Sequence, residues 1–346
     1  MAGNPEKKMH PPTAHRAKDL DLGRIGFGGA PIGGFRFSLT DDDGVATVRE
    51  AAKLGVRYFD TAPQYGYGRS ESVMGFALRA LPRDSFVLST KIGRVLKPLA
   101  HGERIEGWRS GGLNFRESFD YTYDGAMRSL EQSYLRLGLS SIDIVLIHDC
   151  DDATHGASEI TEQYYRDTLK GAWPALSALK RRGEIRAIGV GLNEVPATLR
   201  FLSDTDIDYV MLAGRYTLID QTAIELLLPM AVKRNVSILL ASPFNSGILA
   251  TGTGPGASFD YAPAPAEILE RVRSLEAICA QYGIPLQAAA LQFPLAHPAV
   301  QAVVPGAFRP EQVTQNVKWL STRIPADFWQ EIRSRRLIHP EAPVPV

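Results

Sequence analysis

The chain has 346 residues, 45% hydrophobic and 22% charged, with 38 Lys+Arg balanced by 38 Asp+Glu. That length accommodates two average domains or one large α/β barrel, and its core needs no disulfide or metal staple. Zero formal net charge and the lack of a basic run argue against nucleic acid or an anionic membrane as partners.

Residues 1–18 are polar and Pro-containing, with no apolar signal-peptide core, and no apolar run in the chain is long enough to span a membrane. They read as a flexible lead-in to one domain over 19–346. Cys150 and Cys279 fit no zinc or redox spacing, so a reducing, cytoplasmic setting is expected.

Residues 25–30 form a Gly-rich strand and loop. Gly26, Gly28, Gly29, Gly33 and Gly34 fall out of GxGxxG register, which excludes a dinucleotide fingerprint there. Asp41-Asp42-Asp43 predicts an N-cap cluster for a helix carrying Val45, Val48, Ala52 and Leu54 on one side. A short buried strand over 56–59 ends on Asp60, and a Pro/Gly turn with Tyr65 and Tyr67 precedes a helix opening near Ser70. A third strand over 86–91 ends on Lys91. Residues 92–119 read as a long irregular loop, of the kind that serves as a lid or binding segment.

An amphipathic helix over Tyr123–Leu137 leads to a fourth strand over 142–147, ending on His148. Asp149, Asp151, Asp152 and His155 follow. With His148 they match no closed metal-ligand set, so a solvated acidic loop and no metal are expected. The alternation continues with a helix over 168–182, a strand over 185–191, a helix from Pro196, a strand over 209–212 and a helix over 222–233. Then come a strand at Ser237–Ala241, a Gly/Pro-rich loop over 252–265, helices over Ala266–Tyr282 and 286–295, a strand at Val300–Val304 and a helix near Pro310. Eight strands, each followed by a helix and with no composition break, predict a single-domain α/β protein, a (β/α)8 TIM barrel.

In such a barrel Asp60, Lys91 and His148 stand at the C-terminal ends of the second, third and fourth strands, with Tyr65 on the loop that follows Asp60. Each alone has a structural role open to it: a cap, a solvated strand end, a loop histidine. Together they predict proton transfer at an oxygen. A tyrosine near its ordinary pKa of about 10 is a poor base at neutral pH. An adjacent ammonium is expected to lower that pKa, a carboxylate to keep the ammonium charged, and a histidine to orient the substrate oxygen.

The segments Phe59-Asp60-Thr61-Ala62, Tyr65-Gly66, Ser70-Glu71, Ser89-Thr90-Lys91 and Ile147-His148, in this order, resemble the aldo-keto reductases, over essentially the whole chain from Leu22 to Asn316. The resemblance implies a barrel that binds a nicotinamide cofactor without a Rossmann domain, a catalytic tetrad of Asp60, Tyr65, Lys91 and His148, and Tyr65 as general acid/base. Lys91-Ile92-Gly93-Arg94, Phe119-Asp120-Tyr121-Thr122, Gly189-Val190-Gly191-Leu192-Asn193-Glu194, Leu212-Ala213-Gly214-Arg215-Tyr216-Thr217-Leu218 and Phe244-Asn245-Ser246-Gly247 are similar to aldose dehydrogenases acting on L-fucose and D-threo-aldoses, and to pyridoxal 4-dehydrogenases. The implied reaction is oxidation of a cyclic hemiacetal to a lactone, with pyridoxal as the alternative substrate. A regulatory, cofactor-sensing protein on the same fold is the alternative of another class.

The resemblance carries cofactor contacts to Gly29, Asp60, Asn193, Ser242, Pro243, Asn245, Gly247, Arg309 and Asn316, and substrate contacts to Tyr65, His148 and Trp108. Phe119, Tyr121 and Trp173 are further candidates for the substrate wall or for loop packing. Several family positions differ: Gly191-Leu192 replaces a Ser-Asn pair, Ala213 a Gln, and Ala241-Ser242-Pro243 an aromatic stack. Gly306 and Gln312 stand where NADP-preferring members often carry Lys and Arg, so NAD is expected over NADP, with Arg309 the remaining cation for a 2′-phosphate. The start of the helix after Pro310 is expected to offer N–H groups to phosphate.

Overall fold

The computed structural model describes residues 20–34, 39–105, 111–156 and 159–345. The lead-in over 1–18 and Trp108 therefore lie outside the described residues. Eight strands, β1 Gly26–Gly28, β2 Tyr58–Asp60, β3 Val87–Ile92, β4 Ile144–His148, β5 Ala187–Leu192, β6 Tyr209–Ala213, β7 Ser237–Ala241 and β8 Val300–Val304, follow one another in a single parallel sheet. Bridges from Ile25 to Val303 and from Gly28 to Gly306 bring the last strand back to the first, so the sheet nearly closes into a barrel.

Strand side chains alternate between two cores, as the two-residue period of a strand requires. Phe59, Leu88, Val145, Ile147, Ile188, Val190, Leu240 and Val303 belong to the outer core with the helices. Tyr58, Val87, Ile144, Leu146, Tyr209, Met211, Leu239 and Val304 form the inner core, where Leu20 and Leu22 also pack. Asp60 shares the parity of Tyr58, Lys91 that of Val87, and His148 that of Ile144 and Leu146. The same alternation that fills the lumen with apolar groups thus delivers three polar side chains to its C-terminal end.

Several predicted elements are revised. The helix Asp41–Lys53 is capped by Thr40, not by the acidic cluster: Thr40 Oγ1 accepts from the Asp43 N–H at 3.1 Å, and Asp43 Oδ2 accepts from the Thr40 N–H at 2.9 Å. The segment expected to be irregular contains an antiparallel pair, Arg94–Pro98 with Phe115–Phe119. The helix expected over 168–182 begins earlier, at Glu159–Asp167, and passes through a π-turn, Thr168–Ala172, into Trp173–Arg182. At this π-turn the Ala172 N–H donates to the Tyr121 carbonyl at 3.1 Å, a bond that leaves the helix. The helix predicted over 222–233 is Leu227–Arg234, the one predicted over 286–295 tightens into 3₁₀ form at Phe293–Ala296, and a helix at Ala326–Ser334 was not foreseen.

Gly75 lies inside the helix Arg69–Leu78, where glycine costs about 1 kcal/mol relative to alanine. Its Cα packs on the end of the next helix, and an added Cβ would stand 2.6 Å from the Leu137 Cα and carbonyl carbon. Backbone cannot yield as a flexible side chain can, so sterics outweigh propensity. Gly75→Ala is expected to lower the unfolding free energy by about 1–3 kcal/mol; urea denaturation checks this, and a gain in stability would contradict the packing argument.

Candidate active site

Asp60 and Lys91 form an ion pair with Nζ 2.6 Å from Oδ2, their side chains 3% and 1% exposed. Lys91 Nζ also donates to the Thr61 carbonyl at 2.9 Å, and Ser89 Oγ donates to Asp60 Oδ1 at 2.7 Å. Ser89 in turn shares a 2.7 Å hydrogen bond with the Tyr58 hydroxyl deeper in the lumen. Burial pushes Asp60 up and Lys91 down from their ordinary pKa values, and each opposes the other's shift by favouring its charged form.

Tyr65 is positioned by backbone-to-backbone contacts that glycines permit. A Cβ on Gly33 would stand 2.6 Å from the Tyr65 carbonyl carbon, and one on Gly112 2.9 Å from the Gly66 carbonyl. Gly66 itself has φ +67, and its carbonyl accepts from the Leu113 N–H at 2.8 Å. Arg69 fastens the same loops, donating to Asp41 Oδ1 at 2.7 Å, the Leu39 carbonyl at 2.8 Å and the Gly111 carbonyl at 3.0 Å. The Tyr65 ring meets the His148 ring edge-on at 5.9 Å, and Lys91 Nζ stands 4.6 Å from its centroid. Asp60, Tyr65, Lys91 and His148 thus come together.

The expectation that Lys91 lowers the Tyr65 pKa is not met. Burial raises that pKa well above the ordinary value, and Asp60, Asp149 and Tyr261 add to the rise while Arg94 opposes it. Lys91 spends its hydrogen bonds on Asp60 and Thr61 and meets the tyrosine at its ring face. His148 is held neutral: burial, then the Arg94 and Lys91 charges, put its pKa well below the ordinary histidine value.

The loop expected to be solvated and acidic is buried in its first part, at Asp149 and Asp151, while Asp152 is exposed. Asp149 is 6% exposed and Asp151 0%. Asp149, at φ +48, pairs through Oδ2 with Arg94 Nη2 at 2.9 Å, and Arg94 Nε lies 2.9 Å from Glu117 Oε2. Burial works against the Arg94 charge, but Asp149 and Glu117 hold its pKa above the ordinary arginine value. The Tyr121 hydroxyl donates to the His148 carbonyl at 2.7 Å, so Tyr121 supports the histidine's backbone. Phe119 stacks near Tyr121 and under the Arg94 guanidinium, 4.7 Å from its centroid, which makes both aromatics parts of this support. Trp173 is partly buried against the outer core. Arg94 and Asp149 are residues that sequence reasoning missed; the signal was a cation three places after a strand-end lysine and an acid directly after a strand-end histidine.

A cleft of about 320 Å³ opens beside this cluster, lined by Thr154, Asn193, Gly214, Ser242, Asn245 and Tyr261 among others. Asn245 is 2% exposed; its Nδ2 donates to the Gly214 carbonyl at 3.0 Å, while its buried Oδ1 has no partner among the described residues. An orphaned amide acceptor beside Ser242 fits a ligand that presents N–H or O–H donors, such as a carboxamide. Asn193 is partly committed already, with Nδ2 3.3 Å from Asp149 Oδ1 and its carbonyl accepting from Arg215 Nε at 2.9 Å. Pro243 and Gly247 shape the turn that follows β7, where Ser242 and Asn245 have φ +52 and +43.

Other expected cofactor positions lie apart from the cleft lining. Gly29 sits beside Asp60, and packing alone requires a glycine there: a Cβ would stand 2.7 Å from both the Asp60 carbonyl and Ser70 Oγ. Arg309 is exposed and Asn316 buried, at the start and in the middle of the helix Pro310–Leu320. Just ahead of that helix, Gln312 Oε1 accepts from the N–H of Phe308 at 2.9 Å and of Arg309 at 3.3 Å. No helix among the described residues is long and apolar enough to cross a membrane.

The family model described as "Aldo/keto reductase family" matches residues 24–336. The chain is 42% identical over 329 residues to a pyridoxal 4-dehydrogenase of Microbacterium luteolum, covering 92% of this chain and 95% of that protein. It is 38% identical over 337 residues to a D-threo-aldose 1-dehydrogenase of a Pseudomonas species, covering 94% and 97%. The solved structure of an aldo-keto reductase from Bacillus halodurans superimposes with a TM-score of 0.70 at 23% identity, covering 93% of this chain and 94% of that one, a likeness of fold.

Lys91→Met would strand a buried Asp60 carboxylate, and is expected to cost about 3–5 kcal/mol at pH 7. Without the lysine, burial raises the Asp60 pKa further, so protonation relieves the penalty as pH falls. Denaturant unfolding of both proteins at pH 7 and pH 5 should show the gap narrowing at the lower pH; a constant gap would argue that Asp60 is uncharged in the native pair.

Proposed function

The chain belongs to the aldo/keto reductase family, making it an NAD(P)-dependent oxidoreductase, and we propose that it oxidises a cyclic hemiacetal to the lactone. The substrate class is an aldose of the L-fucose or D-threo type. The observation that carries this reading is the meeting of Tyr65 and neutral His148 above the buried Lys91–Asp60 pair. A second reading, pyridoxal as substrate, is favoured by the 42% identity to a pyridoxal 4-dehydrogenase; pyridoxal also closes to a hemiacetal and asks the same chemistry of the site.

Tyr65 takes the proton of the reacting hydroxyl, and His148, neutral and able both to donate and to accept, orients the oxygen. A nicotinamide cofactor, when bound, would supply the hydride acceptor. Lys91 and Asp60 hold a fixed dipole under the Tyr65 ring. Asn193, Ser242 and Asn245 would hold the nicotinamide end, with Asp60, Gly29, Pro243 and Gly247 shaping the space around it, and Arg309 and Asn316 the adenosine end. We read the cofactor as NAD. Gly306 and Gln312 bring no charge, and Arg309 lies close enough to Asp43 for its charge to help lower that carboxyl's pKa. A 2′-phosphate would meet an acid beside its one cation.

A panel of L-fucose, L-galactose, D-arabinose and pyridoxal, each with NAD and with NADP, tests this by absorbance of the reduced cofactor. Turnover with NAD on at least one hemiacetal is expected, and none on any would refute it. Tyr65→Phe should lower turnover by roughly 10²–10⁴-fold and leave cofactor binding nearly unchanged.

The pH dependence follows from the raised Tyr65 pKa. Oxidation needs the ionised phenol, which burial, Asp60 and Asp149 disfavour, so single-turnover hydride transfer should still be rising at roughly pH 10, the ordinary tyrosine value. Carbonyl reduction uses the protonated phenol and should be level across the neutral range. A plateau for oxidation near neutrality would show a different proton acceptor.

A further inference from the structure

We propose that Arg94 and Asp149 form a donor–acceptor pair that recognises a second hydroxyl of the substrate, next to the one being oxidised. The proposal rests on the hemiacetal reading above and adds the group that selects among hemiacetals.

The pair is buried, Arg94 2% and Asp149 6% exposed, and joined through Nη2 and Oδ2 at 2.9 Å. That bond engages Arg94 Nη2, and the ion pair with Glu117 lies at Nε. Arg94 Nη1 is buried with no hydrogen-bond partner among the described residues. Asp149 Oδ1 has His148 Nε2 at 3.5 Å and Asn193 Nδ2 at 3.3 Å, both too long for a strong charge-assisted bond. A buried, unpaired guanidinium N–H costs free energy, which a structural staple would avoid and a ligand oxygen recovers.

The pair is also placed at the chemistry. Asp149 directly follows His148, and the Arg94 and Asp149 charges both act on Tyr65. Asp149 holds φ +48, a conformation that a non-glycine residue adopts at a cost and that recurs at ligand sites. The support behind it is rigid: the Tyr121 hydroxyl bonds the carbonyls of His148 and Asp149 at 2.7 and 3.2 Å, and Phe119 lies under the guanidinium. A substrate hydroxyl that reached both groups would donate to Asp149 Oδ1 and accept from Arg94 Nη1. A substrate lacking that hydroxyl leaves both charged groups unmet.

The test compares an aldose that the enzyme oxidises with its 2-deoxy counterpart, for the parent enzyme, Arg94→Lys and the near-isosteric Asp149→Asn, using kcat/KM with NAD. The parent should prefer the hydroxylated sugar at least about a hundredfold, as sites built to bond a hydroxyl do. Each variant should lose most of that preference, read as the ratio of kcat/KM on the two sugars within one variant, so that any change at Tyr65 common to both sugars cancels. Fluorescence titration with reduced nicotinamide cofactor identifies variants that still fold and bind. Equal losses on both sugars, or a preference kept intact in both variants, would overturn the proposal and leave the hemiacetal reading standing. A parent enzyme inactive on every hemiacetal would overturn both.

Discussion

A lysine and an aspartate held almost out of reach of solvent, Lys91 and Asp60, set the terms for the barrel's C-terminal end. Removing two such charges from water costs several kcal/mol each, and their attraction offsets this only where the remaining donors and acceptors are met. The lumen meets them with Ser89, the Thr61 carbonyl and, one layer down, Tyr58. These groups lie on β2 and β3 and the turn after β2, whose register pairs Asp60 with Ser89. A one-residue slip of either strand would turn its polar groups outward into the apolar shell beneath the helices. The ion pair therefore acts as a register lock as well as a part of the site.

Across the site stands a second buried group of charges, Arg94 with Asp149 and Glu117. Tyr65 lies in the field of both clusters. Asp60 and Asp149 disfavour its phenolate and Arg94 favours it, so the proton on this phenol is governed by a balance of fixed charges set in a dry surrounding. The loops that carry the phenol are joined where glycines let backbones touch, at Gly33, Gly66 and Gly112. Such joints have no rotamers to rearrange, and they fix Tyr65 without enclosing it.

The barrel was legible because parallel strands buried on both faces read as short apolar runs, and each was followed by a helix. Asp60, Lys91 and His148 were legible as strand-end polar residues, and Tyr65 through its place in the turn. The antiparallel pair in the third loop was not, since Arg94 and Lys97 interrupt its apolar pattern and its partner strand is some twenty residues distant. Asp149 and Asp151 read as solvated because acids usually are; what buries them is tertiary, an arginine from one loop and Asn193 from another. The raised pKa of Tyr65 was hidden for the same reason. The pairing of Lys91 with Asp60 was readable, but not that the ammonium would spend its hydrogen bonds on Asp60 and Thr61 and meet the phenol at its ring face.

The π-turn at Thr168–Ala172 carries a consequence for how this chain can vary. A bond from the Ala172 N–H to the Tyr121 carbonyl ties the π-turn to Tyr121, and the Tyr121 hydroxyl holds the backbone of His148 and Asp149. Deleting one residue there would restore an ordinary helix and improve its internal bonding. It would also release Tyr121, and with it the support behind the histidine. The outer helix is thus tied to the chemistry through its length: relatives with the same site should be free to change its exposed side chains but not to lose that one residue.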